Sequence, residues 1–423
     1  VASSFRPPSK SLTPRDVQFI TLIAFAFVIL SAALYFGNLT LGSQLGGGGE
    51  FYMTWVGGRA FLFDRIEPYT AYVPAQVQDL VYDRPARVGD EPYILDIPFP
   101  ILLVYFPFSL LPDPQIARAI FTVFCELALF AFAFLSLRLA EWDSPRFFSA
   151  LFIAFCVLNF HVYQALLEAA PVLLLGLLYA LILFALRAEM DELAGALIAL
   201  SFFQWEVGGP FLLLVLLRVF YERRTRVLAG FAMLAFILLA ISLLTYPGWI
   251  IPFLNAAVNN LRADFGFSTQ AIFGHIWTGN GSRIALALTI LLFIALGYEW
   301  NIARGADFRR FYWASCLSLA AAPLLGFRSE MENLVVLILP LAFLFAVAFE
   351  RWRRIGNGLT FFLMLFTFSV PWLIYLFALP RYGRTAEEVL FLFYPVLTVL
   401  GLYWLRWWAL RPPLTWLDRA RLK

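Results

Sequence analysis

The residues of this 423-residue chain that could do chemistry are the ionisable and amide side chains that interrupt its apolar runs. Glu50 follows Gly46–Gly49 and precedes Phe51 and Tyr52. Glycines permit close backbone approach and unusual dihedral angles. A carboxylate presented this way can act as a general base or a cation ligand, and a solvated loop acid is the plainer reading. Glu206 sits between two apolar runs in Phe202-Phe203-Gln204-Trp205-Glu206-Val207-Gly208-Gly209-Pro210. An acid at membrane depth is costly and usually faces a pathway or a partner, unless Gly-Gly-Pro makes a wet hairpin tip around it. His161, Gln164 and Glu168 share one face if their stretch is helical. They suit a polar cavity at a span end or ordinary interfacial capping, and Glu168 also favours the N-terminus of the apolar run from Pro171. Arg328 lies in the turn Phe327–Asn333 with Glu330 and Glu332. Its guanidinium can clamp a phosphate or pair with either neighbour. Segment 248–282 gathers Asn255, Asn259, Asn260, Arg262, Asp264 and His275 with Trp249 and Trp277, a mixture that suits a sugar site and a membrane interface equally.

Other chemistries find no footing. Cys125, Cys156 and Cys316 all lie in apolar runs and read as small core residues, not as a disulfide framework or metal site. His161 and His275 are the only histidines, too few for a His-rich metal centre, so no metal and no cofactor is expected. There is no phosphate-binding glycine loop, dinucleotide fingerprint, HExxH or CxxC, and no internal repeat is visible. The net charge of +3 is spread in short clusters, which gives no reason to expect nucleic acid. Asn38-Leu39-Thr40 and Asn280-Gly281-Ser282 match the N-glycosylation pattern, which matters only in a eukaryotic secretory pathway.

The elements that must position these residues are membrane spans. With 62% hydrophobic residues, 14% charged residues and a mean hydropathy of +0.79, the chain lacks the polar surface a soluble fold needs. The first apolar run is long enough to cross a bilayer and is followed by no small-residue cleavage site, so it reads as a retained span. The chain starts at Val1, which fits trimming of something before it. Basic clusters at Arg218–Arg226, Arg304–Arg310 and Arg351–Arg354, the tail from Arg406 to Lys423, and Lys10 with Arg15 mark the cytoplasmic side. They predict an all-α polytopic membrane protein, a single integral domain over 1–423. Its 12 spans (range 11–13) lie near 17–37, 115–138, 147–166, 169–187, 193–206, 209–220, 227–247, 283–300, 311–326, 333–349, 357–379 and 387–407. Ile97–Leu111, broken by prolines, reads as a re-entrant or interfacial piece. Both termini fall inside, and residues 38–96 and 248–282 form the long outer loops where function is expected.

Two stretches resemble a known family. Glu50-Phe51-Tyr52-Met53-Thr54-Trp55-Val56-Gly57-Gly58-Arg59, with Glu67-Pro68-Tyr69 after it, is similar to the first-loop signature of GT-C fold, polyprenyl-phosphate-dependent glycosyltransferases. The nearest branch is glycosyltransferase family 87, the bacterial α-1,2-mannosyltransferase-like enzymes. Ile97–Pro112, ending in Leu-Leu-Pro, and Arg118-Ala119-Ile120-Phe121 resemble the segments that follow. The likeness covers about residues 15–140 and is looser beyond. It departs at His161-Val162-Tyr163-Gln164, where the family tends to have Gly-Gln, and at Gln204-Trp205-Glu206, where it tends to have Lys-Pro. The resemblance implies a GT-C-like bundle in the plasma (inner) membrane that takes a sugar from a polyprenyl-phosphate donor, with inversion, and passes it to a lipid, glycan or protein acceptor outside. It makes Glu50 the base, where the family usually has Asp. Tyr52, Arg59, His161, Gln164, Glu206, Arg262, His275 and Arg328 become the residues expected to bind substrate or donor, with Arg328 or Arg262 replacing the missing lysine. Two other classes remain open: a secondary transporter or lipid flippase with Glu206 and Glu168 as coupling acids, and a non-catalytic subunit of a membrane complex. A transporter should show paired broken helices, and one candidate break, at Gly208-Gly209-Pro210, is visible.

Overall fold

The computed structural model describes residues 14–410 apart from residues 88, 263–264 and 353–354. Lys10, Asp264, Arg353, Arg354 and the tail from 411 therefore lie outside the described residues. The described chain is helical, and its only strand-like feature is one isolated pairing between Phe267 and Ser329.

The first helix, α1 (Pro14–Leu45), runs to the glycine stretch and is followed by α2 (Gly49–Arg59), which loosens into a π-helical turn at Ala60–Asp64. Then come α3 (Tyr72–Tyr82) and α4 (Phe99–Ser109), the proline-broken segment. Eleven residues rise about 16 Å as a helix, too little to cross a bilayer. Asp113 caps α5 (Pro114–Leu139), its carboxylate accepting from the Gln115 and Ile116 amides at 2.8 and 3.1 Å. Trp55 and Arg59 at the end of α2 donate to the carbonyl of Leu111, so α2 lies locked beside α4.

Next come α6 (Arg146–Leu158) and α7 (Phe160–Leu167), bent by 46° at Asn159. That residue is extended; its side chain caps α7 through the His161 amide and donates to Tyr394 Oη at 2.6 Å. Following them are α8 (Val172–Arg187), α9 (Asp191–Leu200), α10 (Trp205–Tyr221) and α11 (Thr225–Thr245). The backbones of α9 and α11 touch: a Cβ on Gly195 would lie 2.0 Å from the Val227 carbonyl oxygen, and one on Gly230 2.1 Å from that of Glu192. Small residues at such crossings let apolar helices approach closely. Glu206 occupies the first turn of α10, so the expected hairpin tip is instead a helix start, with the chain reversal at Ser201–Gln204.

The segment after α11 contains α12 (Ile250–Arg262) and α13 (Thr269–Ile276). The remaining helices are α14 (Gly281–Ala303), α15 (Phe308–Ala321), α16 (Ile338–Arg351, preceded by a 3₁₀ stretch at Glu332–Leu337), α17 (Gly356–Leu373), α18 (Leu379–Tyr382) and α19 (Arg384–Ala409). Most of α16 is buried, between α5, α15, α17 and α19. Among the described residues, seven helical stretches are long and apolar enough to cross a membrane, eight if the bent α6–α7 pair is one span. This fits a polytopic membrane protein. Four of the expected spans fall on α8, α9, α10 and α15, of 16, 10, 17 and 14 residues, all shorter than a straight crossing.

The bundle has two unlike ends. One collects the basic clusters: Glu141 pairs with Arg187 and Arg309, and Arg309 reaches Glu350 at 3.6 Å and the Ala409 carbonyl at 2.8 Å. The other end collects buried carboxylates. All three cysteines are buried, as expected of core residues. Asn38, the first glycosylation match, lies within α1 and donates to Glu126 on α5 at 3.0 Å.

Candidate functional site

The site starts from the glycines. Gly46, Gly47 and Gly48 adopt φ of +69°, +73° and +89°, the left-handed region that side chains avoid. Neighbours approach so closely that a Cβ on Gly48 would lie 2.6 Å from Arg118 Nε, and one on Gly49 2.1 Å from the Tyr93 ring. Arg118, buried on α5, donates to the carbonyls of Gly42, Gly46 and Leu167 at 3.4, 2.7 and 2.7 Å. It thereby closes the C-terminal ends of α1 and α7, where carbonyls lack helical partners and a cation is favoured. Glu168 follows α7 directly and accepts from the Gly49 amide at 3.0 Å. It stabilises the start of α2, not the helix after Pro171. Together these contacts fix Glu50 in the first turn of α2, with 8% of its surface exposed.

The loop after α3 lays Glu91–Ile97 across this helix start. Tyr93 packs on Gly49, and the Glu91 amide donates to Tyr82 Oη at 3.1 Å. Glu50, Glu91 and Glu330 consequently bring carboxylate oxygens within 4.8 Å of one another. Glu50, Glu91 and Asp96, with Glu206 and Asn260, line an inner cavity of about 80 Å³ that Glu330 and Asn333 also border. Asn260 on α12 donates to Asp96 at 2.8 Å. Glu91 and Glu330 also border an outer cavity of about 300 Å³ with Gln164, Glu168, Glu332 and Arg384, against the rings of Phe160, Phe267 and Tyr375. Arg384 lies 4.3 Å over the Phe267 ring and donates to the Gly266 carbonyl at 2.8 Å. The Phe267–Ser329 backbone pair, at 2.8 and 2.9 Å, holds that loop beside Glu330.

So many carboxyls cannot all ionise in so little water. Burial raises the pKa of Glu50 well above the carboxylate range, and the charges of Glu332, Asp96 and Glu168 add to the shift against a hydrogen bond with Glu91. Burial likewise raises Glu91 and Glu330, with neighbouring acids second in each case. Glu168 is pushed up to about 7 by burial and then by Glu332, against the lowering effect of the Gly49 amide and Arg118. Protons or a cation must neutralise the group. Glu50, Glu91 and Glu330 present the all-oxygen ligand set that a hard divalent cation takes. The expectation of no metal rests on the cysteines and histidines, although Glu50 reads as a candidate cation ligand; Glu91 and Glu330 join it only through the fold.

Glu168 gives a pH signature. An acid whose folded pKa exceeds its unfolded value binds more protons when folded. The stability it contributes is full below the unfolded value and is lost as pH rises toward the folded one. The thermal unfolding midpoint of the wild type is expected to fall between pH 4.5 and about 7 more steeply than that of Glu168→Gln. Differential scanning fluorimetry across that range checks this, and equal slopes would remove Glu168 from the account.

The other expected site residues are dispersed. Tyr52 is buried against Phe51 with Arg118 6.0 Å from its ring. Arg59 bonds the Ser109 and Leu111 carbonyls and stacks on Trp55 and Phe63. His161 is buried beside Tyr394 and donates from Nδ1 to the Met331 carbonyl at 3.0 Å, steadying the turn between Glu330 and Glu332. Gln164 borders the outer cavity and Glu206 the inner one. His275 is half-exposed and meets buried Glu388 at 2.8 Å. Arg262 is exposed at the end of α12, and Arg328 is half-buried; neither borders the two cavities. The sequence reading passed over Glu91, Asp96, Arg118 and Arg384. Arg118 stood in a quoted motif, but nothing local ties it to glycines more than 70 positions away. Set against known proteins, the chain matches no protein-family model, no curated protein and no solved structure.

Proposed function

We propose that the chain is a GT-C-type membrane glycosyltransferase, similar to family 87, with about 12 crossings and both termini in the cytoplasm. On this reading it sits in the plasma (inner) membrane and moves mannose, another hexose or a pentose from a polyprenyl-phosphate carrier to a lipid, glycan or protein acceptor on the far side. The observation that carries the reading is Glu50, fixed at the start of α2 on the wall of a polar cavity. Its oxygen takes the proton of the acceptor hydroxyl while that hydroxyl oxygen bonds to the anomeric carbon. The bond from that carbon to the phosphate oxygen breaks, and polyprenyl phosphate leaves with the electron pair, inverting the centre. A carboxylate whose pKa is raised above its ordinary range takes a proton more readily than an exposed one.

Further features support the reading. Gln204, Asn260 and Asn333 give the same cavity neutral hydrogen-bonding groups of the kind sugars need. Among the described residues no lysine, arginine or histidine borders it, so the anionic leaving group belongs in the outer cavity with Arg384. A groove of about 350 Å³ between α1, α5, α6, α7 and α17 is mostly apolar and ends at Arg118, which packs on Gly48. It offers an isoprenoid chain a way in from the bilayer.

The test is transfer in proteoliposomes from polyprenyl-phosphate-linked radiolabelled sugars to mixed glycan, lipid and peptide acceptors. Acceptor-dependent formation of free polyprenyl phosphate is expected, with nucleotide sugars inert. Absence of transfer from every carrier-linked sugar would overturn the reading. One observation favours the transporter alternative: Glu206 shares the cavity with Glu50, and Glu168 has a pKa of about 7, which suits a proton-coupling acid. Movement of an intact substrate across the membrane, with no bond broken, would establish it. Neither activity outside a larger assembly would favour a non-catalytic subunit.

A further inference from the structure

The helix α12 divides into three sectors that its composition alone does not reveal. At about 100° per residue, Ile250, Ile251, Leu254, Val258 and Leu261 fall in one arc, and all are exposed, Ile251 by 70% and Leu261 by 69%. Asn255, Asn259 and Arg262 fall in the next arc and are exposed too. The remaining arc faces the protein. Ala256 is buried in it, Phe253 meets the Tyr69 ring edge-on at 6.0 Å, and Asn260 donates to Asp96 in the inner cavity. A helix in water would not spend its exposed surface on five aliphatic side chains in one stripe. A bilayer-crossing helix would need more than thirteen residues and would not carry an amide arc.

We propose that α12 is an in-plane helix whose aliphatic stripe is seated in the outer boundary of the lipid bilayer. Its amide arc then faces water and its third arc closes the inner cavity. The occupant follows from continuity. The lipid-facing surface of the span α11 exposes Phe236, Ile241 and Leu244, the last by 85%, and only the turn at Tyr246–Trp249 separates it from Ile250 and Ile251. The two exposed apolar surfaces join, and a bilayer that covers the end of one meets the other. Arg262 is the only charged side chain on the helix, so apolar burial and not attraction to anionic headgroups holds it there. Because Asn260 belongs to the same helix, lipid contact on one side and the position of Asp96 on the other are mechanically joined.

The experiment uses the full chain in lipid nanodiscs with a nitroxide label on Ile251→Cys, Leu254→Cys, Asn255→Cys or Asn259→Cys. The native cysteines are buried, out of the label's reach. Collision with oxygen, which concentrates in lipid, and with a water-soluble nickel chelate is measured by power saturation. The oxygen-to-nickel ratio is expected to be several-fold higher at 251 and 254 than at 255 and 259, and equal in zwitterionic and anionic discs. Equal access to nickel at all four positions would overturn the proposal. So would shielding of 251 and 254 from both reagents, which would mark a protein partner, or a lipid signal that needs anionic lipid. None of these results depends on whether sugar transfer is found.

Discussion

Glu50→Gln is expected to abolish sugar transfer while the protein inserts, folds and loses no stability. The loss of activity follows from the role proposed for the carboxylate. A general base contributes roughly 10²–10⁴-fold to rate, and the amide cannot take the proton. The retained stability follows from the surroundings. Glu50 is buried beside Glu91 and Glu330 and feels the charges of Glu332, Asp96 and Glu168. Removing one ionisable group from that crowd relieves repulsion without leaving a cation unpaired. The checks are the proteoliposome transfer assay and a thermal melt on the same preparation. Wild-type transfer in the variant would end the role of Glu50. A large fall in melting temperature would instead mean that the acids are held by a bound cation that the glutamine cannot ligate.

Arg118→Met should be the most destabilising single change near the site. The methionine keeps much of the buried stem but leaves the Gly42, Gly46 and Leu167 carbonyls without their donor. Hydrogen bonds to charged groups are each worth about 1.5–3 kcal/mol, and a buried unsatisfied carbonyl adds its own penalty. A loss of about 3 kcal/mol or more is therefore expected, measured by denaturant unfolding in detergent with circular dichroism. Activity should vanish with it, because the same three bonds hold the glycine stretch that aims Glu50. Arg118→Lys should recover part of the stability, since one ammonium can reach some but not all of the three oxygens. A neutral effect of Arg118→Met would show that the ends of α1 and α7 are held by other contacts.

What the sequence made legible was whatever repeats or stands out locally. Long apolar runs announced the seven helical stretches long enough to cross a membrane, from Ala24–Leu45 to Arg384–Ala409. An acid after four glycines announced Glu50, and thiols inside apolar runs announced buried cysteines. The remainder depended on contacts between residues far apart in the chain. Glu168 caps a helix that starts 119 positions earlier, and Asn260 meets Asp96 from 164 positions away. Glu91 and Asp96 sit in an irregular loop without periodicity, so nothing distinguished them from solvated acids until Tyr93 was seen packed on Gly49. The run around Glu206 misled for a related reason. Gly-Gly-Pro is a turn signal in isolation, but here Pro210 lies inside α10, where it supplies no helical N–H to the Glu206 carbonyl and the helix continues regardless. Asn260 was noticed as an amide, but the three-way division of its helix was not, because thirteen mixed residues in an outer segment read as loop.

The ring of Tyr93 against Gly49 also bears on inheritance. Every amino acid that one nucleotide change can substitute for glycine brings a Cβ, and a Cβ at this position falls 2.1 Å from a ring carbon in a buried residue. No single missense step leaves the start of α2 as it is. The codon for Gly49 is therefore a point from which this gene cannot drift without first moving Tyr93. Any lineage that has changed the glycine should have made the aromatic residue smaller beforehand.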